Sequence, residues 1–137
     1  MNTHISVSLT SVRLLRIMLS GIFIIAGASH LLNPEKTTQR IEMANFNEFA
    51  YFFGKPEILV ILSGIVLLVA GISFAMGFKT KWSAIILLAV LIPITITVQI
   101  GQLTTLGPLF KNIAIFGGLS FFILNKTQKN KQSKVNS

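Results

Sequence analysis

The spacing of charges limits this chain more than any other feature. Between Glu57 and Lys79 lie 21 residues without a charge, and between Lys81 and Lys111 lie 29. Arg16 to Glu35 leaves 18 residues whose only ionisable side chain is His30, and Lys111 to Lys126 leaves 14. An α-helix rises about 1.5 Å per residue and the hydrocarbon of a bilayer is about 30 Å thick, so roughly 20 apolar residues cross it. The two longest gaps clear that length. The first reaches it when Leu14 and Leu15 join while Arg13 and Arg16 snorkel, and the last when Pro108 to Phe110 are added. Lipid offers no partner to a bare backbone N–H or C=O, so stretches of this length cross as helices. The sequence therefore predicts an all-α, integral membrane four-helix bundle with spans near 13–32, 57–78, 82–101 and 108–125.

Composition agrees. Hydrophobic residues make up 52% and charged residues 12%, with mean hydropathy +0.72. A soluble domain carries about a quarter charged residues to cover its surface. With that cover missing, most side chains must be solvated by lipid. The net charge of +8 comes from twelve Lys and Arg against four Glu, with no Asp. These cations flank the apolar runs, where they meet anionic lipid head groups, and they form no basic stripe interleaved with aromatics, which argues against nucleic acid. The absence of cysteine excludes disulfides, thiolate metal sites and dithiol chemistry within the chain.

The boundaries carry helix punctuation. Asn33-Pro34-Glu35 reads as an N-cap, a first-turn proline and an acid at the positive helix end, so a short helix starts there. Lys55-Pro56-Glu57 repeats the pattern before the second span, Gly107-Pro108 opens the fourth, and Lys79-Thr80-Lys81 is a tight turn joining spans two and three. Residues 33–56 form the one substantial loop, polar in its first half and rich in Phe and Tyr in its second, as an interfacial segment would be. Ala26-Gly27-Ala28 resembles a signal-peptide cleavage site, but the apolar run continues through Leu32 and reads as a span. Residues 1–125 are expected to form the membrane domain and 126–137 a disordered basic tail. Four spans put both termini on one side with the 79–81 turn. That side holds Arg13, Arg16, Lys79, Lys81 and the four tail lysines, against Lys36, Arg40, Lys55 and Lys111 on the other, so the termini are expected to be cytoplasmic.

This topology gathers the polar residues of the spans at the opposite face. His30 ends span one, Glu57 starts span two, Gln99 and Gln102 end span three, and Lys111 with Asn112 starts span four. Ionisable groups at membrane depth are costly and rare, which makes these the candidate ligand-binding residues. His30 can exchange a proton or hydrogen-bond a ligand, and Ala26 and Gly27 one turn earlier let a neighbouring helix come close. Against each stands a structural role: an interhelical bond for His30, a snorkelling anchor for Lys111, a dipole-favoured first-turn acid for Glu57. Thr95, Gln99 and Gln102 share a helix face just beyond Pro93. Ala114 with Gly118, and Gly71 with Ala75, are small-residue pairs suited to helix packing. No Ser/His/Asp arrangement, paired carboxylate, phosphate loop or metal-ligand cluster is present, so a catalytic residue is not identifiable and a metal site is not expected.

The first span, RLLRIMLSGIFIIAGASHLLNP, the hairpin LSGIVLLVAGISFAMGFKTKWSA and the start of the fourth, GPLFKNIAIFGGL, resemble in order and spacing the DoxX family of small bacterial membrane proteins. The closest points of likeness are His30 with Asn33-Pro34, and Lys111-Asn112 with Gly117-Gly118. The resemblance implies a four-helix bundle in a bacterial cytoplasmic (inner) membrane. Through the family's namesake it also implies a membrane subunit of a thiosulfate:quinone oxidoreductase, with a quinone as ligand and redox subunits as partners. The family pattern has an acid at the place of Ile61, and here Glu57 stands one turn earlier on the same face. The expectation is a quinone-like headgroup bound by His30 and Lys111, both donating to its carbonyls. The competing readings are a non-catalytic assembly subunit and a small permeation protein.

Overall fold

The computed structural model describes residues 5–100 and 106–125. Gln102 and the basic tail at 126–137 lie outside them. Six helices follow in order: α1 Leu9–Leu32, α2 Pro34–Glu42, α3 Asn47–Phe53, α4 Pro56–Met76, α5 Thr80–Gln99 and α6 Leu106–Leu124. Four of them, α1, α4, α5 and α6, are long and apolar enough to cross a bilayer. Their outward faces stay apolar, as Ile25, Val69, Ile86 and Ile113 show. A helix apolar all round needs lipid as its solvent. The protein is a multi-pass membrane protein.

The predicted spans are all present, with shifted ends. α1 starts four residues before Arg13 because Ser8 caps it, its hydroxyl accepting from the Ser11 amide at 3.1 Å. α4 stops at Met76 because Gly77 takes the left-handed conformation (φ 77°), turning the Phe78 amide back to the Ser73 carbonyl at 3.0 Å. The turn to α5 is therefore Gly77–Lys79, and α5 already includes Thr80. Arg16 reaches across from α1 and lies over this turn, where a Cβ on residue 77 would sit 2.6 Å from its Nη1. The interfacial segment is two short helices, α2 beginning at Pro34 as read from the sequence. Asn33 does not cap it through its side chain; its amide instead closes α1 on the Ser29 carbonyl at 2.9 Å.

Around the bundle the most extensive contact is that of α1 with α4, followed by α5 with α6 and α4 with α5, and a smaller contact closes α6 back to α1. The α1–α4 seam is a close approach of backbones. A Cβ on Gly27 would meet the Gly64 carbonyl at 2.8 Å and the Leu68 amide nitrogen at 2.9 Å, and one on Gly71 would meet Ile24. On α6, Gly118 makes room for the Leu19 side chain, whose Cδ1 would lie 2.9 Å from a Cβ there. The dry core is concentrated toward the α4–α5 turn, where Phe23, Phe74, Leu87, Leu119 and Phe122 are almost wholly buried. Phe74 and Phe122 meet edge to face at 5.0 Å and 84°. At the other end α2 lies against α4 and α1, and α3 lies against α5 and α4, so the two short helices form a cap.

Candidate functional site

The antiparallel order places the C-terminal ends of α1 and α5 and the N-terminal ends of α4 and α6 at the capped end. His30, Glu57, Gln99, Lys111 and Asn112 all stand there. They do not share one environment. Glu57 and Lys111 are exposed, Gln99 is half-buried, and Asn112 is buried, with 3% of its surface accessible.

Two of the candidates are tied across helix interfaces, and the same device makes both ties. The Ser63 hydroxyl on α4 donates to the carbonyl of Val60 at 2.8 Å, and His30 Nδ1 on α1 lies 3.0 Å from Ser63 Oγ. A hydroxyl has one proton, and Ser63 spends it on its own helix. With the proton so placed, the imidazole donates from Nδ1, and Nε2 of the neutral ring is left as an acceptor. Likewise the Thr95 hydroxyl on α5 donates to Leu91 O at 2.7 Å and accepts from Asn112 Nδ2 on α6 at 2.8 Å. Each hydroxyl is back-bonded within its helix and presents only oxygen lone pairs to its neighbour. Glycine makes the first tie feasible, since the His30 Cβ is 3.0 Å from a Cβ built on Gly64.

Ser63 has a second neighbour. Between α3, α4 and α5 lies a pocket of about 310 Å³, and Ser63 is part of its wall. Phe49, Ala50 and Phe53 of α3 form its roof, Val60, Leu62 and Val66 of α4 one side, and Val90, Pro93 and Ile94 of α5 the other. Besides Ser63, only Thr97 brings a polar side chain. Phe53 is held edge-on by Phe49 at 5.3 Å and by Phe52 at 5.4 Å, so the roof is a small aromatic cluster. Sequence reasoning missed both Ser63 and this pocket. Pro93 in an apolar span, with an aromatic segment elsewhere in the chain, was the only signal for the pocket, and nothing in the ILSG run singled out Ser63. Among the described residues, no three His, Asp or Glu side chains are grouped as a metal site requires.

Residues 11–100 match the family model described as DoxX. The chain belongs to the DoxX family. No curated protein and no solved structure matches it. The DoxX match takes in α1 to α5, and hence His30, Ser63 and every residue of the pocket wall. Lys111 and Asn112 on α6 lie beyond it.

Proposed function

We propose that this DoxX protein binds the headgroup of a membrane-dissolved quinone at the capped end of its bundle, as a subunit of a membrane redox complex. The observation that carries the reading is the His30–Ser63 pair, a proton-exchanging group fixed by one hydrogen bond beside an apolar pocket of ligand size. His30 then meets a ligand through Nε2, accepting from a hydroxyl of the reduced headgroup. This revises the expectation of two donors. Lys111, exposed at the same end, remains a donor to the headgroup's other oxygen. Glu57 and Gln99 belong to the polar rim, while Asn112, with one amide hydrogen spent on Thr95, holds α6 in place. The distribution of cations favours the bacterial inner membrane with both termini cytoplasmic, which puts the site in the outer leaflet.

A second reading has its own support. Both polar ties cross helix interfaces, which is what interhelical hydrogen bonds do in an assembly subunit without a ligand. Mass spectrometry of the gently solubilised protein, native and after organic extraction, separates the two. A quinone carried by the parent and lost from a His30→Ala, Lys111→Ala variant is the expected result. Quinone retained undiminished by that variant would overturn the site. A firmly attached second chain with no small ligand would make the protein an assembly subunit.

A further inference from the structure

Pro93 stands inside α5. A proline has no N–H, so the Ala89 carbonyl four residues earlier loses the donor that an uninterrupted helix supplies. Ala89 and Pro93 both line the α3–α4–α5 pocket, so the interrupted hydrogen bond lies in the pocket's wall. Ala89 lies ten residues from the end of α5, about 15 Å along the axis and near the middle of a hydrocarbon layer about 30 Å thick. Acyl chains cannot donate a hydrogen bond there, and a bare carbonyl is heavily penalised at that depth. The nearby Ser63 hydroxyl cannot help, because its proton goes to Val60.

The pocket therefore offers acceptors: the Ala89 carbonyl and the remaining lone pair of Ser63 Oγ, with Thr97 able to take either role. Its other walls are aromatic and branched. A volume of about 310 Å³ is at the low end for ligand pockets. That suits one ring with a short length of chain better than a two-tailed lipid. A carbonyl oxygen brought to Ala89 would set acceptor against acceptor, whereas a hydroxyl would complete the broken hydrogen bond.

We propose that this pocket binds a membrane-dissolved ring compound through a hydroxyl donating to the Ala89 carbonyl, and so selects the reduced, hydroxyl-bearing form of a quinone over the oxidised form. The inference rests on the quinone reading for the identity of the ring. It adds the anchoring atom in the pocket and a preference between the two oxidation states.

The test uses the full chain in nanodiscs and three probes: a short-chain hydroquinone, its quinone and its dimethyl ether, compared by anaerobic equilibrium dialysis. The parent is expected to hold the hydroquinone about tenfold more tightly than the other two, the size of one hydrogen bond to an otherwise unmet acceptor. Pro93→Ala returns an N–H to the Ala89 carbonyl and makes α5 a more regular helix, so it is expected to fold. In it the preference should fall to about threefold or less. Ala89→Phe, which fills the pocket, should weaken all three. Equal affinities in the parent, or a preference that survives Pro93→Ala, would overturn the proposal, since the carbonyl would then be satisfied by water or by its own helix. Binding lost in His30→Ala but intact in Ala89→Phe would leave the quinone reading standing and remove the pocket from it. No binding of any probe would end both.

Discussion

Toward the α4–α5 turn the bundle is filled by Phe23, Phe74, Leu87, Leu119 and Phe122, and the turn itself is closed by Gly77 and covered by Arg16. Toward the cap, the same four helices are joined by His30–Ser63 and Asn112–Thr95, α5 contains a proline, and a pocket remains open under α3. The difference follows from what each end asks of its residues. Side chains that only pack can fill space without remainder, and they fix where the helices stand. Side chains that must meet a polar partner need defined directions, and groups left to meet a ligand need room. Stability and ligand binding should therefore come apart when the two ends are changed separately.

The largest effect is expected from Phe74→Ala. It removes a wholly buried ring and its edge-to-face partner, so resistance to SDS-induced helix loss should fall by about 4 kcal/mol while probe binding per folded molecule is kept. Next comes Gly27→Ala, whose Cβ meets backbone atoms that cannot swing aside. A loss of about 2 kcal/mol in the same titration is expected, and here the comparison is stressed, because the seam runs up to His30 and ligand retention should fall too. A smaller loss of about 1 kcal/mol should follow Asn112→Leu, which keeps the volume and removes one interhelical hydrogen bond; a cost as large as that of Phe74→Ala would show that the capped end is as structural as the turn end. Smallest is Pro93→Ala, a gain of about 1 kcal/mol or less from the restored backbone bond. A destabilised Pro93→Ala protein would mean that the proline is needed for packing, and the contrast between the ends would then blur.

Much of this arrangement could be read from the residues. The charge gaps gave the four spans, Pro34 and Pro56 marked two helix starts within a residue, and Gly27 announced a close neighbour. Span ends were less legible where a local hydrogen bond outweighed hydropathy, as at Ser8, or where a left-handed glycine cut a helix short, as at Gly77. Least legible was the pairing of polar side chains. Thr95 and Asn112 were both visible as polar positions. Their meeting depends on the register of α5 against α6, which the packing of Leu87, Ile115 and Leu119 sets rather than any motif. Ser63 gave no signal, and the acceptor role of His30 follows only once the Val60 carbonyl is known to take the Ser63 proton.

The glycine seam also bears on how the chain is built into a membrane. α4, α5 and α6 follow one another through short connections, so each can pair with its predecessor soon after it is made. α1 has its main partner in α4, from which α2 and α3 separate it. Until α4 arrives, α1 must wait in lipid, with its Gly27 face, shaped for another backbone, uncovered. The stretch of chain between the two helices thus sets the interval before α1 can lock, and inserting residues between α2 and α3 should slow maturation of the bundle while leaving the glycine seam itself unchanged.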